Sequence, residues 1–105
     1  HVPVIEAPAS VKAGETAHVM LSVGKEIAHP NTMEHYIAWI KLYFKGASSK
    51  FAVELGKLTF DVHGDNATAP QGCLHVTLKE SGTLIAVSYC NLHGLWESSA
   101  EITVE

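Results

Sequence analysis

The sequence predicts an all-β protein, an immunoglobulin-like antiparallel β-sandwich of about seven strands. Three observations carry this. Apolar residues recur at every second position through most of the 105-residue chain, the period of a strand with one face in a core. No helical period of 3.6 residues is sustained anywhere. Clusters rich in Gly, Pro, Asn and Ser (KAGE, HPNT, KGASS, GDNATAPQG, ESGT) interrupt the alternation at short intervals, as turns do between the strands of a sandwich.

The elements follow in order. Val2 to Ile5 opens the chain as a short strand. In Thr16 to Val23, Ala17, Val19, Leu21 and Val23 share one face and His18, Met20 and Ser22 the other. In Tyr36 to Phe44 both faces are apolar, which predicts a central strand covered on each side. Phe51 to Leu55 and Lys57 to Val62 read as two strands, followed by Leu74 to Leu78, Leu84 to Cys90 and Ile102 to Val104. No repeat, linker or low-complexity segment divides residues 1–105, so one domain is expected, and a chain this long buries roughly two-thirds of its unfolded surface.

Composition narrows the function. The net charge is −4 and the seven basic residues are all lysines, scattered along the chain; binding phosphates takes clustered cations, so nucleic acid is not an expected partner. The apolar runs fall short of the roughly 20 residues that cross a bilayer, so no membrane partner is expected either. Cys73 and Cys90 do not make a disulfide scaffold; free thiols or a metal ligand come ahead of a single disulfide.

The seven histidines divide into two groups. His18 and His75 fall on polar strand faces and His63 ends a strand before Gly64, positions that suit exposed side chains without a chemical role. His29 and His35 bracket the loop HPNTMEH, where five intervening residues let both imidazoles converge across a turn. Cys90 and His93 form a Cys-x-x-His pair in YCNLHGLW, with Gly94 giving the backbone room to fold back. Thiolate with imidazole suits zinc, copper or iron, or a catalytic pair. His1 precedes the first strand and can lie at the same end of the sandwich as these two half-sites.

Taken together, HVPVIE, HPNTMEHYIAWI and YCNLHGLW resemble, in order and internal spacing, the superoxide reductases of the neelaredoxin type and the catalytic domain of desulfoferrodoxin. The resemblance implies an immunoglobulin-like seven-stranded sandwich with one mononuclear non-haem iron (Fe2+/Fe3+) per chain. His1, His29, His35 and His93 would be equatorial ligands and Cys90 the axial thiolate, with the position opposite the sulfur open to superoxide. The implied reaction is one-electron reduction of superoxide, with two protons, to hydrogen peroxide; a rubredoxin-like donor restores the ferrous state. The thiolate is expected to push electron density onto the iron and help the product leave. The four-cysteine iron centre that desulfoferrodoxins add cannot be built from Cys73 and Cys90.

The same resemblance implies a homo-oligomer, dimer or tetramer, and a cytoplasmic location. In the family a Glu-Lys pair precedes the first ligand histidine, the lysine drawing in superoxide. Either such a pair lies in a segment outside this sequence or the protein does without it; in the second case Lys25, in VGKEIAHP, is the nearest candidate for a substitute catalytic cation. The amides of Asn91 and Leu92 are expected to donate to the Cys90 sulfur, and Pro30 and Trp96 to wall the open position. The alternative is a cupredoxin-like copper electron-transfer protein. That fold expects a methionine or glutamine soon after the loop histidine, and GLWESSAE supplies neither.

Overall fold

The structure, a computed structural model, describes residues 1–105. Its strands are β1 (Val4–Glu6), β2 (Ser10–Val11), β3 (Thr16–Ser22), β4 (Ile37–Gly46), β5 (Val53–Thr59), β6 (Gln71–Thr77), β7 (Gly82–Cys90) and β8 (Gly94–Val104). They form a three-stranded sheet, β1-β3-β6, and a five-stranded sheet, β2-β8-β7-β4-β5. Every pairing is antiparallel except the short parallel one between β2 and β8. No helix is long and apolar enough to cross a membrane.

The alternation read from sequence decides which side chains fill the sandwich. Val19 and Leu21 from one sheet meet Ile40, Leu42 and Leu84 from the other, all without exposed surface. Full burial of each such aliphatic side chain stabilises the fold by roughly 1.5–3 kcal/mol. Sixteen buried residues form one continuous cluster between the sheets.

The structure corrects the element list in three places. Phe51 to Leu55 and Lys57 to Val62 are not two strands; the strand there is the single β5. Leu42 pairs with Gly56 and Tyr43 with Glu54, so Leu55 is an extra residue that bulges from the ladder. A bulge inverts the in-out alternation, which makes one strand look like two. β8 starts at Gly94 rather than Ile102, its polar middle, Glu97 to Ser99, having masked it. The two-residue β2 makes the strands eight rather than seven.

β4 also departs from expectation. It is interior within its sheet, between β7 and β5, but it is covered on one side only. Ile40, Leu42 and Phe44 are buried, whereas Trp39, Lys41 and Tyr43 on the other face are only half-buried.

Three features bring the chemistry-bearing residues to one end of the sandwich. The first residue of β4, Ile37, pairs with the last of β7, Cys90, so His35 and Cys90 arrive at the same edge. The β7–β8 hairpin turns there. The segment before β1 is drawn to that end by two hydroxyls: Ser88 Oγ donates to the His1 carbonyl at 3.1 Å and Ser98 Oγ donates to the Pro3 carbonyl. Ser88 is a fully buried polar residue in an apolar strand, and this bond satisfies it.

Candidate metal centre

Cys90 closes β7 with no exposed surface. The chain then reverses through Asn91, Leu92 and His93 to Gly94, which pairs back with Cys90 and has φ of 78°. A three-residue hairpin needs a left-handed residue at that point, and glycine takes it without steric cost. The reversal sets His93 Nδ1 at 3.7 Å from the Cys90 sulfur.

His29 lies in the loop after β3. Gly24, with φ of 88°, begins that loop; a Cβ on it would sit 2.5 Å from the His29 backbone nitrogen, so the loop closes this tightly only around glycine. The Pro30 carbonyl is 2.7 Å from His29 Nδ1. A carbonyl only accepts, so Nδ1 carries the proton and Nε2 the free lone pair. Burial holds the pKa of His29 below its ordinary value of 6.5; the Pro30 carbonyl opposes this, while His35 and His93 add to the lowering. Each effect that lowers it favours the neutral imidazole a metal requires.

His35 is set by a turn in which the Thr32 N–H donates to the His35 carbonyl at 2.9 Å and the His35 N–H donates to Thr32 Oγ1 at 3.0 Å. The Nε2 atoms of His29 and His35 are both buried and without a hydrogen-bond partner.

The four imidazoles form a square. Going round it, ring centroids are separated by 4.9 Å for His1 and His29, 4.7 Å for His29 and His35, 5.0 Å for His35 and His93, and 4.5 Å for His93 and His1. Neighbouring rings are nearly perpendicular, at 79°, 75°, 74° and 81° in the same order. His1 and His35, opposite each other, lie 6.1 Å apart and within 29° of parallel. The ligand atoms of His1, His29, His35 and Cys90 all fall within 4.8 Å of one another. His93 stands outside that tightest group but touches it, its Nδ1 lying 2.8 Å from His1 Nε2.

Buried lone pairs with no partner cost free energy, and a cation between these rings would use them. The donors therefore fit one metal ion. A desulfoferrodoxin family model matches residues 1–99. The chain belongs to the desulfoferrodoxin family.

Its relatives within and around that family are similar along nearly the whole chain. A superoxide reductase from Pyrococcus abyssi is 47% identical over 97% of this chain and 86% of its own length. Neelaredoxin from Megalodesulfovibrio gigas is 44% identical over 100% of this chain and 88% of its own. The solved structure of the superoxide reductase (neelaredoxin) of Ignicoccus hospitalis superposes with a TM-score of 0.90 at 47% identity, covering 100% of this chain and 81% of that one. The cupredoxin alternative is not favoured, because a site of one cysteine and two histidines would leave two of these converging imidazoles unused.

Around this desulfoferrodoxin centre several residues act without being ligand candidates. The Asn91 side chain joins the two donor loops, accepting from the Tyr36 N–H at 2.8 Å and donating to the Glu34 carbonyl at 2.9 Å. The Asn91 backbone N–H donates to the Tyr36 carbonyl at 3.2 Å rather than to the Cys90 sulfur, which corrects the expectation for that amide. His63 is half-buried, not exposed: it stacks on Tyr36 at 3.8 Å and its Nδ1–H donates to Asn31 Oδ1 at 2.7 Å. Asn31 Nδ2 in turn donates to the Thr68 carbonyl at 3.0 Å. Nothing local to His63 signals this, because its partners lie some 30 positions upstream.

Trp96 lies against His1, with ring centroids 5.1 Å apart, and its Nε1–H donates to the His93 carbonyl at 3.2 Å. Lys25 is paired with the Glu6 carboxylate and lines a concavity shared with His1, Val2 and Ile27. His18 and His75 stand opposite each other on the three-stranded sheet, exposed and stacked at 4.7 Å, outside the group. Cys73 and Cys90 are both free thiols.

Proposed function

We propose that residues 1–105 act as one superoxide reductase domain, in which His1, His29, His35, His93 and Cys90 would hold a single iron ion. Superoxide is the substrate and hydrogen peroxide the product. The observation that carries this is the square of alternately oriented imidazoles beside a wholly buried thiol. Superoxide reductases at 47% identity support the reaction. Imidazole and thiolate together suit iron.

When bound, iron would supply the single electron that, with two protons, takes superoxide to hydrogen peroxide. The chain's own residues set the conditions for it. Cys90 keeps its sulfur out of solvent, and Asn91 fixes its loop against the His35 loop. His29 is held neutral with Nε2 free. Trp96 covers one flank of His1 and leaves the remainder of this exposed ring accessible. Where no Glu-Lys pair precedes His1, Lys25 serves as the cation that draws in the anion: it borders the concavity beside His1, and its pairing with Glu6 is exposed to water, where such pairs exchange readily.

A rubredoxin-like protein is the electron donor we favour. Ile27, Met33 and Leu92, each within two positions of a proposed ligand, are 86%, 73% and 60% exposed, and apolar side chains around a redox centre suit a transient protein contact. The chain works in the cytoplasm, where a free thiol stays reduced, as a homo-oligomer.

The deciding measurement is the visible spectrum of the iron-loaded, oxidised protein. A sulfur-to-iron charge-transfer band should appear in wild type and vanish in Cys90→Ser; a band that survives the substitution would sink the assignment. Pulses of superoxide should be consumed without oxygen release, and stoichiometric oxygen would mark a dismutase instead.

A further inference from the structure

The outer face of the three-stranded sheet carries a group of metal-binding side chains that the iron chemistry does not use. Residues of β3 and β6 that point away from the core lie directly opposite one another: His18 pairs with His75, and Met20 with Cys73. The rows to either side are ordinary for a sheet face in water, Thr16 with Thr77 and Ser22 with Gln71. The central rows are not, because they bring together two imidazoles, a thioether and a free thiol.

Each pair is already closed to nearly the span of one ion. The Cys73 thiol donates to Met20 Sδ at 3.6 Å. Sulfurs that far apart subtend about 100° at an ion about 2.3 Å from each, close to the tetrahedral angle. The His18 and His75 rings stack with centroids 4.7 Å apart and planes within 20° of parallel. Nitrogens about 2 Å from a shared ion stand at most about 4 Å apart, so a small tilt of these exposed rings brings two of them to it. Successive rows on one face of a strand are about 6.8 Å apart. Imidazole and thioether side chains are long enough to close that gap, and exposed side chains change rotamer freely.

We propose that Cys73, Met20, His18 and His75 hold one cuprous ion, at a site separate from the imidazole square. The donor set selects the metal. Thiolate and thioether sulfur favour monovalent copper, and imidazole accepts it. Zinc is held by cysteine, histidine and carboxylate and would leave the Met20 thioether unused. Binding displaces the Cys73 thiol proton, so one proton leaves for each ion taken up. The ladder between β3 and β6 fixes the backbone of all these donors before the ion arrives, and only side-chain torsions have to change.

The test is anaerobic titration of the iron-loaded protein with cuprous ion in competition with bicinchoninate, a chelator that colours when it holds that ion. Wild type should take one cuprous ion per chain from the chelator while keeping its iron. Copper X-ray absorption should show both sulfur and nitrogen neighbours. Cys73→Ser, Met20→Leu and the double variant of His18→Ala with His75→Ala should each weaken binding by about tenfold or more, since even a hydrogen bond to a ligand is worth that much. Iron content and circular dichroism should not change in any of them. Copper uptake that is matched by iron release, or that is undiminished in Cys73→Ser, overturns the site. Weakening confined to the histidine variant overturns the sulfur ligands and leaves an adventitious imidazole pair. A wild type that takes no copper from the chelator overturns the proposal outright. Each outcome is read from copper, so the iron assignment stands or falls separately on its own spectrum.

Discussion

His63 and Asn31 are joined by a 2.7 Å hydrogen bond from imidazole Nδ1 to the side-chain oxygen, and through it a histidine that is no ligand candidate fixes the loop that carries two. Replacing His63 with Phe keeps a ring to stack on Tyr36 but leaves Asn31 Oδ1 unsatisfied. The expected result is a folded protein whose metal affinity falls by about tenfold or more, read by chelator competition. Unchanged affinity would mean that the loop holds its shape without His63.

Gly24→Ala tests how the His29 loop closes. The added methyl meets the His29 backbone nitrogen, on a residue whose φ is positive. A loss of about 1–3 kcal/mol is expected, seen as a lower melting temperature. Metal should also be lost at lower chelator concentration, because His29 is displaced.

His18→Ala and His75→Ala, alone or together, should retain one metal per chain by elemental analysis. Both residues lie on the three-stranded sheet, outside the imidazole square. Loss of the ion in either variant would contradict the centre as drawn.

A pH effect is expected at the opposite end of the sandwich. The Glu80 carboxylate accepts from the Ser48 N–H at 2.9 Å and from Ser48 Oγ at 2.6 Å, and these bonds hold its pKa below the ordinary 4.5. A depressed carboxylate contributes stability that is present above its unfolded value and is lost as pH falls through its lower folded value. In metal-free protein, wild type should therefore melt above Glu80→Gln near neutrality, and the gap should close below pH 4.5. A constant gap would show that the bonds do not depend on the charge.

Much of this was legible in sequence, for physical reasons that differ by element. Strand alternation exposed β3 because Ala17, Val19 and Leu21 must share a face. It failed at β5 because the bulge at Leu55 inverts the period, and at β8 because Glu97 to Ser99 look like a loop until their neighbours are known. Four of the five proposed ligands stand in two short motifs whose spacing suits convergence. For His1 the sequence offered only that it could reach the same end of the sandwich, since the hydroxyls of Ser88 and Ser98 that seat its segment lie 87 and 95 positions away from their acceptors. Side chains that tie loops together, such as Asn91 and His63, carry no local pattern at all.

The contact between His1 and His93 spans 92 positions, and the square is incomplete without both. A growing chain exposes His1 early but brings His93 within reach only after β7 is finished and its hairpin has turned. Contacts this distant in sequence form late, because a long loop must close before they yield anything. The complete donor set therefore exists only once β7 and its hairpin are in place. A chain cut before His93, or one whose β7–β8 hairpin fails to turn, would lack the square and with it the place for the ion.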